Sequence, residues 1–263
     1  MIRALLLSLC LLGALAAQAP SPIQDGEHHG DAPYLLEQGW KPLLNGTDLA
    51  GWHSQDPAKP NEWYVSPTVF FDRLLGPTRL TGRKGPGPNI LNGPAGRTVN
   101  LVTDAEHGDI ELYIEWMVSK GSNSGVYLQG LYEVQVFDSF GATEPVTSSD
   151  AGGVYHRWID NKGVGGSAPR LNASRPPGHW QSYQIWFRAP RFDAAGKKTE
   201  NAKFLRVLFN GTLVQENVEC EGPTRAHMPN AEAAGNPLML QGDHGPVAYR
   251  NIYWRPLRPL VHR

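Results

Sequence analysis

Cysteine is nearly missing from this chain, with 2 in 263 residues. Cys10 lies in an apolar run at the N-terminus, so Cys220 has no partner in the remainder and an internal disulfide framework is excluded. Charge is scarce as well. Charged residues make up 19%, and Lys+Arg 24 against Asp+Glu 25 leave a net charge of -1, so no basic footprint points to nucleic acid or to an anionic membrane surface. Beyond residues 1–19 no run approaches the roughly 18–20 apolar residues that span a bilayer, and stable membrane insertion is not expected. Helical periodicity is nowhere sustained, and no Cys or His pattern has zinc-site spacing.

What is abundant is turn formers and aromatics. Gly (29) and Pro (22) make up roughly a fifth of the chain, against a usual background of about 12%. Eight Trp, nine Tyr and eight Phe suffice for a sizeable core and for surfaces that stack on neutral ligands such as sugars. Residues 1–19 run from Arg3 through the apolar stretch Ala4 to Leu15 to the small residues Ala16, Ala17 and Ala19, the order of a secretory signal peptide. Cleavage fits after Ala16 or after Ala19, and Leu9 before Cys10 is not the small residue of a lipoprotein site. The expectation is a protein secreted or periplasmic after cleavage, with a flexible leader over 20–33 and one domain over 34–258.

Short apolar segments between turn signals predict strands. Asp109 to Val118 is the clearest, with Ile110, Leu112, Ile114, Trp116 and Val118 alternating with Glu111, Tyr113, Glu115 and Met117, so that one face is core and the other is not. Further strands are expected at Val99–Thr103, Gly125–Gln129, Tyr132–Phe137, Ser182–Arg188, Leu238–Gln241 and Ala248–Trp254. Phe204–Phe209, then Asn210-Gly211, then Thr212–Gln215, reads as a tight hairpin. The fold class is all-β, an antiparallel two-sheet jelly-roll sandwich. Residues 138–180, dense in Gly and Pro, read as long loops over a sheet, and loops of that length are usually functional.

Several polar groups are placed for chemistry. Alternation along Tyr132–Phe137 puts Glu133 and Gln135 on one face, either a solvated outer face or a carboxylate and an amide aimed at a ligand. Gln241, Asp243 and His244 end one strand beside glycines and Arg250 follows in the next, either lining a cleft or capping a turn and pairing with a surface carboxylate. Glu111 and Glu115 share a face, partly like the Glu-x-Asp-x-Glu strand of laminarinase-type glycosidases, but with Tyr113 at the centre. Their Cα atoms would lie roughly 13 Å apart, whereas a glycosidase dyad needs carboxyls about 5–9.5 Å apart. A classical two-carboxylate pair is therefore not visible along any one strand.

The ordered set Asn123-Ser124-Gly125-Val126, Tyr132-Glu133-Val134-Gln135, Pro176-Pro177-Gly178-His179-Trp180-Gln181, Asn210-Gly211, Leu240-Gln241-Gly242-Asp243-His244-Gly245 and Tyr249-Arg250-Asn251-Ile252 resembles the secreted bacterial 3-keto-disaccharide hydrolase domain family. The likeness runs over most of residues 38–258, with His179 where an acidic residue is common and Tyr249 where Phe is common. It implies a concanavalin A-like jelly roll and a hydrolase or lyase that cleaves 3-keto-glycosides by proton abstraction at carbon 2, elimination, and addition of water. On that reading Glu133, His244 and Arg250 are the expected catalytic groups: base, acid or enolate partner, and oxyanion neighbour. Glu115, Asn123, Gln135, Asp138, Gln241 and Asp243 would bind the oligosaccharide or glycoside substrate. The cofactor is left open, with Glu133 and His156 the candidate ligands should a divalent metal ion be required. A noncatalytic carbohydrate-binding module and a classical two-carboxylate glycosidase stand as alternatives.

Overall fold

A computed structural model describes residues 31–143 and 145–259 of the chain. The expected signal peptide over 1–19 and nearly all of the expected leader over 20–33 lie outside the described residues. Pro33 itself opens a one-turn helix, Pro33–Leu36. Among the described residues no helix is long and apolar enough to cross a membrane.

The molecule is an antiparallel two-sheet jelly-roll sandwich. The larger, eight-stranded sheet runs in the order Thr212–Cys220, Ala202–Phe209, Gln181–Arg188, Ile110–Val118, Val247–Pro256, Asn89–Leu91 and Tyr64–Ser66, with Lys41–Pro42 also pairing to Val247–Pro256. The five-stranded sheet runs Tyr132–Phe137, Asn123–Leu128, Asn236–Leu240, Leu101–His107 and Trp52–Ser54. Every strand expected from alternation is present, with ends shifted by a few residues. The hairpin turn at Asn210-Gly211 has both residues at positive φ, 49° and 78°, the conformation that matches the twist of the flanking strands.

Between the sheets lies one apolar layer. Ile110, Leu112, Ile114, Trp116 and Val118 meet Val126, Leu128, Tyr132, Val134 and Val136 there, and Trp116 stacks on Phe209 with centroids 5.6 Å apart. Burying side chains of this size is worth about 1.5–3 kcal/mol each, which is how the fold is held without a disulfide; Cys220 is free and buried.

The outer face of the Ile110–Val118 strand, though not part of the inter-sheet core, is covered as well. All nine of its residues are buried. Its carboxylates are covered because cations on the neighbouring strand neutralise them: Glu111 binds Arg255, and Glu115 accepts from Arg250 at 2.5 Å. The two carboxylates thus belong to separate ion pairs.

The loops after Phe137 fold back over the five-stranded sheet as expected. Val154 bridges to Val134, and the main-chain N–H of Gln135 donates to Gly153 while that of Tyr155 donates to Glu133, so the exposed edge of the Tyr132–Phe137 strand is covered. The segment also forms a small hairpin that the sequence pattern did not reveal, Arg157–Ile159 with Lys162–Val164.

Candidate active site

The site is built on the outer face of the five-stranded sheet. Because Tyr132, Val134 and Val136 fill the core, a two-residue period turns Glu133 and Gln135 the other way. In the neighbouring strand Glu133 is opposite Tyr127, and Gln135 is opposite Gly125. Gly125 makes the arrangement sterically feasible: a Cβ there would lie 2.1 Å from Oε1 of Glu133. The missing side chain is the space the carboxylate occupies.

These strands floor a cavity of about 250 Å³ whose walls include Asn123, Tyr127, Glu133, Gln135, Tyr155, Arg225, Ala226, Gln241 and His244. Although it faces away from the core, Glu133 is only 2% exposed, since the Val154–Tyr155 and Thr224–Ala226 segments close over it. Of the two alternatives for this face, the solvated one is excluded.

Burial disfavours the charged carboxylate and pushes the Glu133 carboxyl up to about 8. A hydrogen bond with the Tyr127 hydroxyl opposes that rise, and the nearby Asp243 charge adds to it. The Tyr127 hydroxyl also lies 3.1 Å from the carbonyl oxygen of Arg225, to which it donates. It can therefore accept from protonated Glu133 and turn its own proton to the ionised form.

The cavity holds unmet polar demand. Oε1 of Gln135 and Oε1 of Gln241 are buried without a partner, while Nε2 of Gln135 donates to the Ser149 carbonyl. Buried acceptors of this kind are normally satisfied, and both residues line the cavity. At the rim, His244 Nδ1 lies 2.5 Å from Asp243. That hydrogen bond raises the imidazole above its ordinary value despite burial. For Asp243 burial works upward, but the His244 hydrogen bond and charge outweigh it and hold the carboxyl low. The turn carrying both is pinned by Arg97, which donates to the Asp243 carbonyl, and by Asn92, which donates to the carbonyls of Gly242 and Gly245.

The structure thus brings together Glu133, Gln135, Asn123, Gln241 and His244, with Asp243 behind His244. It does not bring in the rest. Arg250 and Glu115 sit on the outer face of the other sheet, across the core: Arg250 lies over Trp180 with its Cζ 4.1 Å from the ring centroid, and Glu115 also accepts from Tyr113. The oxyanion role expected of Arg250 and the substrate contact expected of Glu115 are corrected to a structural ion pair. Asp138 accepts from the Gly121 N–H at 2.8 Å, closing a turn rather than lining the cavity. The His156 ring stacks on Tyr155 at 4.2 Å and packs where a Gly163 side chain would be. Tyr155 lines the Glu133 cavity and His156 does not, so the candidate metal pair is not brought together there. Among the described residues no group of three or more His, Cys, Asp or Glu side chains is gathered to hold a metal ion.

Tyr127, Tyr155 and Arg225 were not anticipated. Tyr127 was within reach, since Asn123, Gly125 and Tyr127 follow the same two-residue period. Arg225 comes from a loop with no periodic signal.

A family model described as the 3-keto-alpha-glucoside-1,2-lyase-like domain matches residues 39–255. The chain belongs to this family. A candidate glycosyl hydrolase of known structure from Parabacteroides distasonis is 28% identical, with a TM-score of 0.58 and 84% of each chain covered. A second from that organism is 18% identical, with a TM-score of 0.50, covering 83% of this chain and 99% of that one, and it shows the fold alone. Comparison with curated proteins gives no match. Within the family frame, the match spans both halves of the cavity, from Asn123 to His244.

Proposed function

We propose that this carbohydrate-active, glycosidase-like protein cleaves 3-keto-glycosides by elimination across carbons 1 and 2, with Glu133 as the base. A ketone at carbon 3 acidifies the hydrogen on carbon 2. Glu133 takes that proton, the electron pair passes through an enolate to form the second bond between carbons 1 and 2, and the carbon 1–oxygen bond breaks to release the alcohol, its oxygen taking a proton from the His244 imidazolium. Addition of water to the resulting enone completes a net hydrolysis. The observation that carries this reading is a lone buried carboxyl, raised to about 8, on the floor of a polar cavity. A base with that proton affinity is stronger than an ordinary carboxylate and still partly ionised near neutrality.

The neighbours suit the same chemistry. Arg225 and His244, the latter's imidazole favoured in its charged form, are the cationic residues among those described on the cavity wall, and they favour the negative charge that would develop on the ketone oxygen. Gln135 and Gln241 offer acceptors to sugar hydroxyls. A two-carboxylate glycosidase fits less well, because Glu133 is the only carboxylate among the described residues lining the cavity and Asp243 is engaged by His244. A pure binding module would gain nothing from burying a carboxyl at such cost.

The test is release of the aglycone from a 3-keto-glucoside and from the unoxidised glucoside by wild type and by Glu133→Gln. Turnover of the keto form alone, reduced at least a hundredfold by the substitution, supports the reading. Equal turnover of both substrates contradicts it.

A further inference from the structure

The cavity over Glu133 is about 250 Å³ and open to solvent, so a disaccharide whose oxidised ring reaches Glu133 extends its other ring toward the rim. On one side the walls at Arg225 and Ala226 are shared with a second cavity, of about 290 Å³, which also takes in Trp158, Ile159, Pro223 and His227. Trp158 is 46% exposed and Ile159 is 41% exposed, at the tip of a small hairpin that borders this second cavity.

The hairpin is held in place rather than loosely attached. Asp160 and Asn161, both at positive φ, make its tight turn. The Arg225 N–H donates to the His156 carbonyl at 2.9 Å, and the Arg225 guanidinium lies 3.9 Å from the Trp158 ring centroid. One indole face is thus occupied by a residue of the Glu133 cavity, while nearly half of the side chain remains open. Ala226, beside Arg225, is held at φ 61°, a strained conformation for a residue with a Cβ, and such strain concentrates at functional sites.

We infer that Trp158 and the groove beside it form a second sugar subsite, which binds the leaving-group sugar of a 3-keto-disaccharide while the oxidised ring occupies the Glu133 cavity. The indole offers a flat apolar platform to the C–H face of a pyranose, and Arg225 and His227 offer polar contacts at its edge. The competing position is a cavity of about 540 Å³ lined by Asp56, Lys59, Glu62, Arg97 and Asp243 on the far side of His244. It has no aromatic wall and shares no lining residue with the Glu133 cavity.

This inference rests on the elimination reading, and its experiment has two readouts so that the two fail separately. The first compares KM for 3-keto-cellobiose and for methyl 3-keto-glucoside. Trp158→Ala should raise the ratio of the two about tenfold, and Trp158→Phe should recover most of the loss. Equal changes for both substrates would mean that Trp158 acts only through Arg225, and a raised ratio in Lys59→Ala but not in Trp158→Ala would place the leaving group in the other cavity; either result overturns the subsite. The second readout is calorimetric titration of unoxidised cellobiose, which needs no turnover. Should wild type cleave neither keto-glycoside, the elimination reading falls; the subsite is then supported by cellobiose binding lost in Trp158→Ala, and overturned by binding that the substitution leaves unchanged or by no binding at all.

Discussion

Glu133 carries two costs that can be read separately. As a base it must be ionised, so kcat/KM on a 3-keto-glucoside should climb as pH rises toward about 8, where burial has placed its carboxyl. Glu133→Gln keeps the volume and the Tyr127 hydrogen bond, and should remove that limb of the profile with most of the rate. Arg250 makes the opposite case. Its side chain pairs with Glu115 on the other sheet, so Arg250→Ala should leave turnover per folded molecule unchanged and lower stability by about 3 kcal/mol, the low end for breaking a partly buried pair, read as a drop in Tm. The family resemblance implied one site for both residues; only strand order, which a single sequence does not display, separates them.

The Asn123–Leu128 and Tyr132–Phe137 hairpin shows what was legible and why. Alternation identified both strands and the face that Glu133 shares with Gln135, since a two-residue period is a local property. It did not reveal that the face is covered, because the cover comes from Gly152–Tyr155 and from Thr224–Ala226, remote in the chain and without periodicity. Gly125 connects the two levels. Gly125→Ala would set a Cβ 2.1 Å from the Glu133 carboxylate and 2.8 Å from the Tyr127 ring. We expect kcat to fall at least tenfold in this variant with a loss of Tm smaller than that of Arg250→Ala. An equal loss in both variants would show that the close approach serves packing alone. The Arg225 loop had no comparable local signal, and neither did the Trp158 hairpin.

Across the whole molecule, two buried groups set a pH dependence of stability. Glu133 holds its proton to about 8 when folded but only to about 4.5 when unfolded, so its contribution is full below pH 4.5 and is lost as pH rises toward 8. His107, held neutral by burial that lowers its imidazole to about 4, acts in the other direction: its contribution is full above pH 6.5 and is lost as pH falls toward 4. The two slopes oppose each other between pH 4.5 and 6.5, and above 6.5 the Glu133 loss is joined by that of His244, whose imidazole the Asp243 hydrogen bond holds above its ordinary value. Thermal midpoints should therefore decline from pH 6.5 to 8 in wild type, and Glu133→Gln should reduce that decline to the part His244 contributes. The export expected from residues 1–19 remains a proposal, checked by the N-terminus of protein recovered from the native host, which should begin at Ala17 or Pro20 rather than Met1. The central claim concerns a single C–H bond. Elimination must break the bond at carbon 2 and later replace its hydrogen from solvent, whereas direct hydrolysis leaves it untouched. The decisive measurement is the fate of deuterium placed at carbon 2 of a 3-keto-glucoside: the account requires its loss from the released sugar at the rate of turnover, and full retention of the label would contradict it.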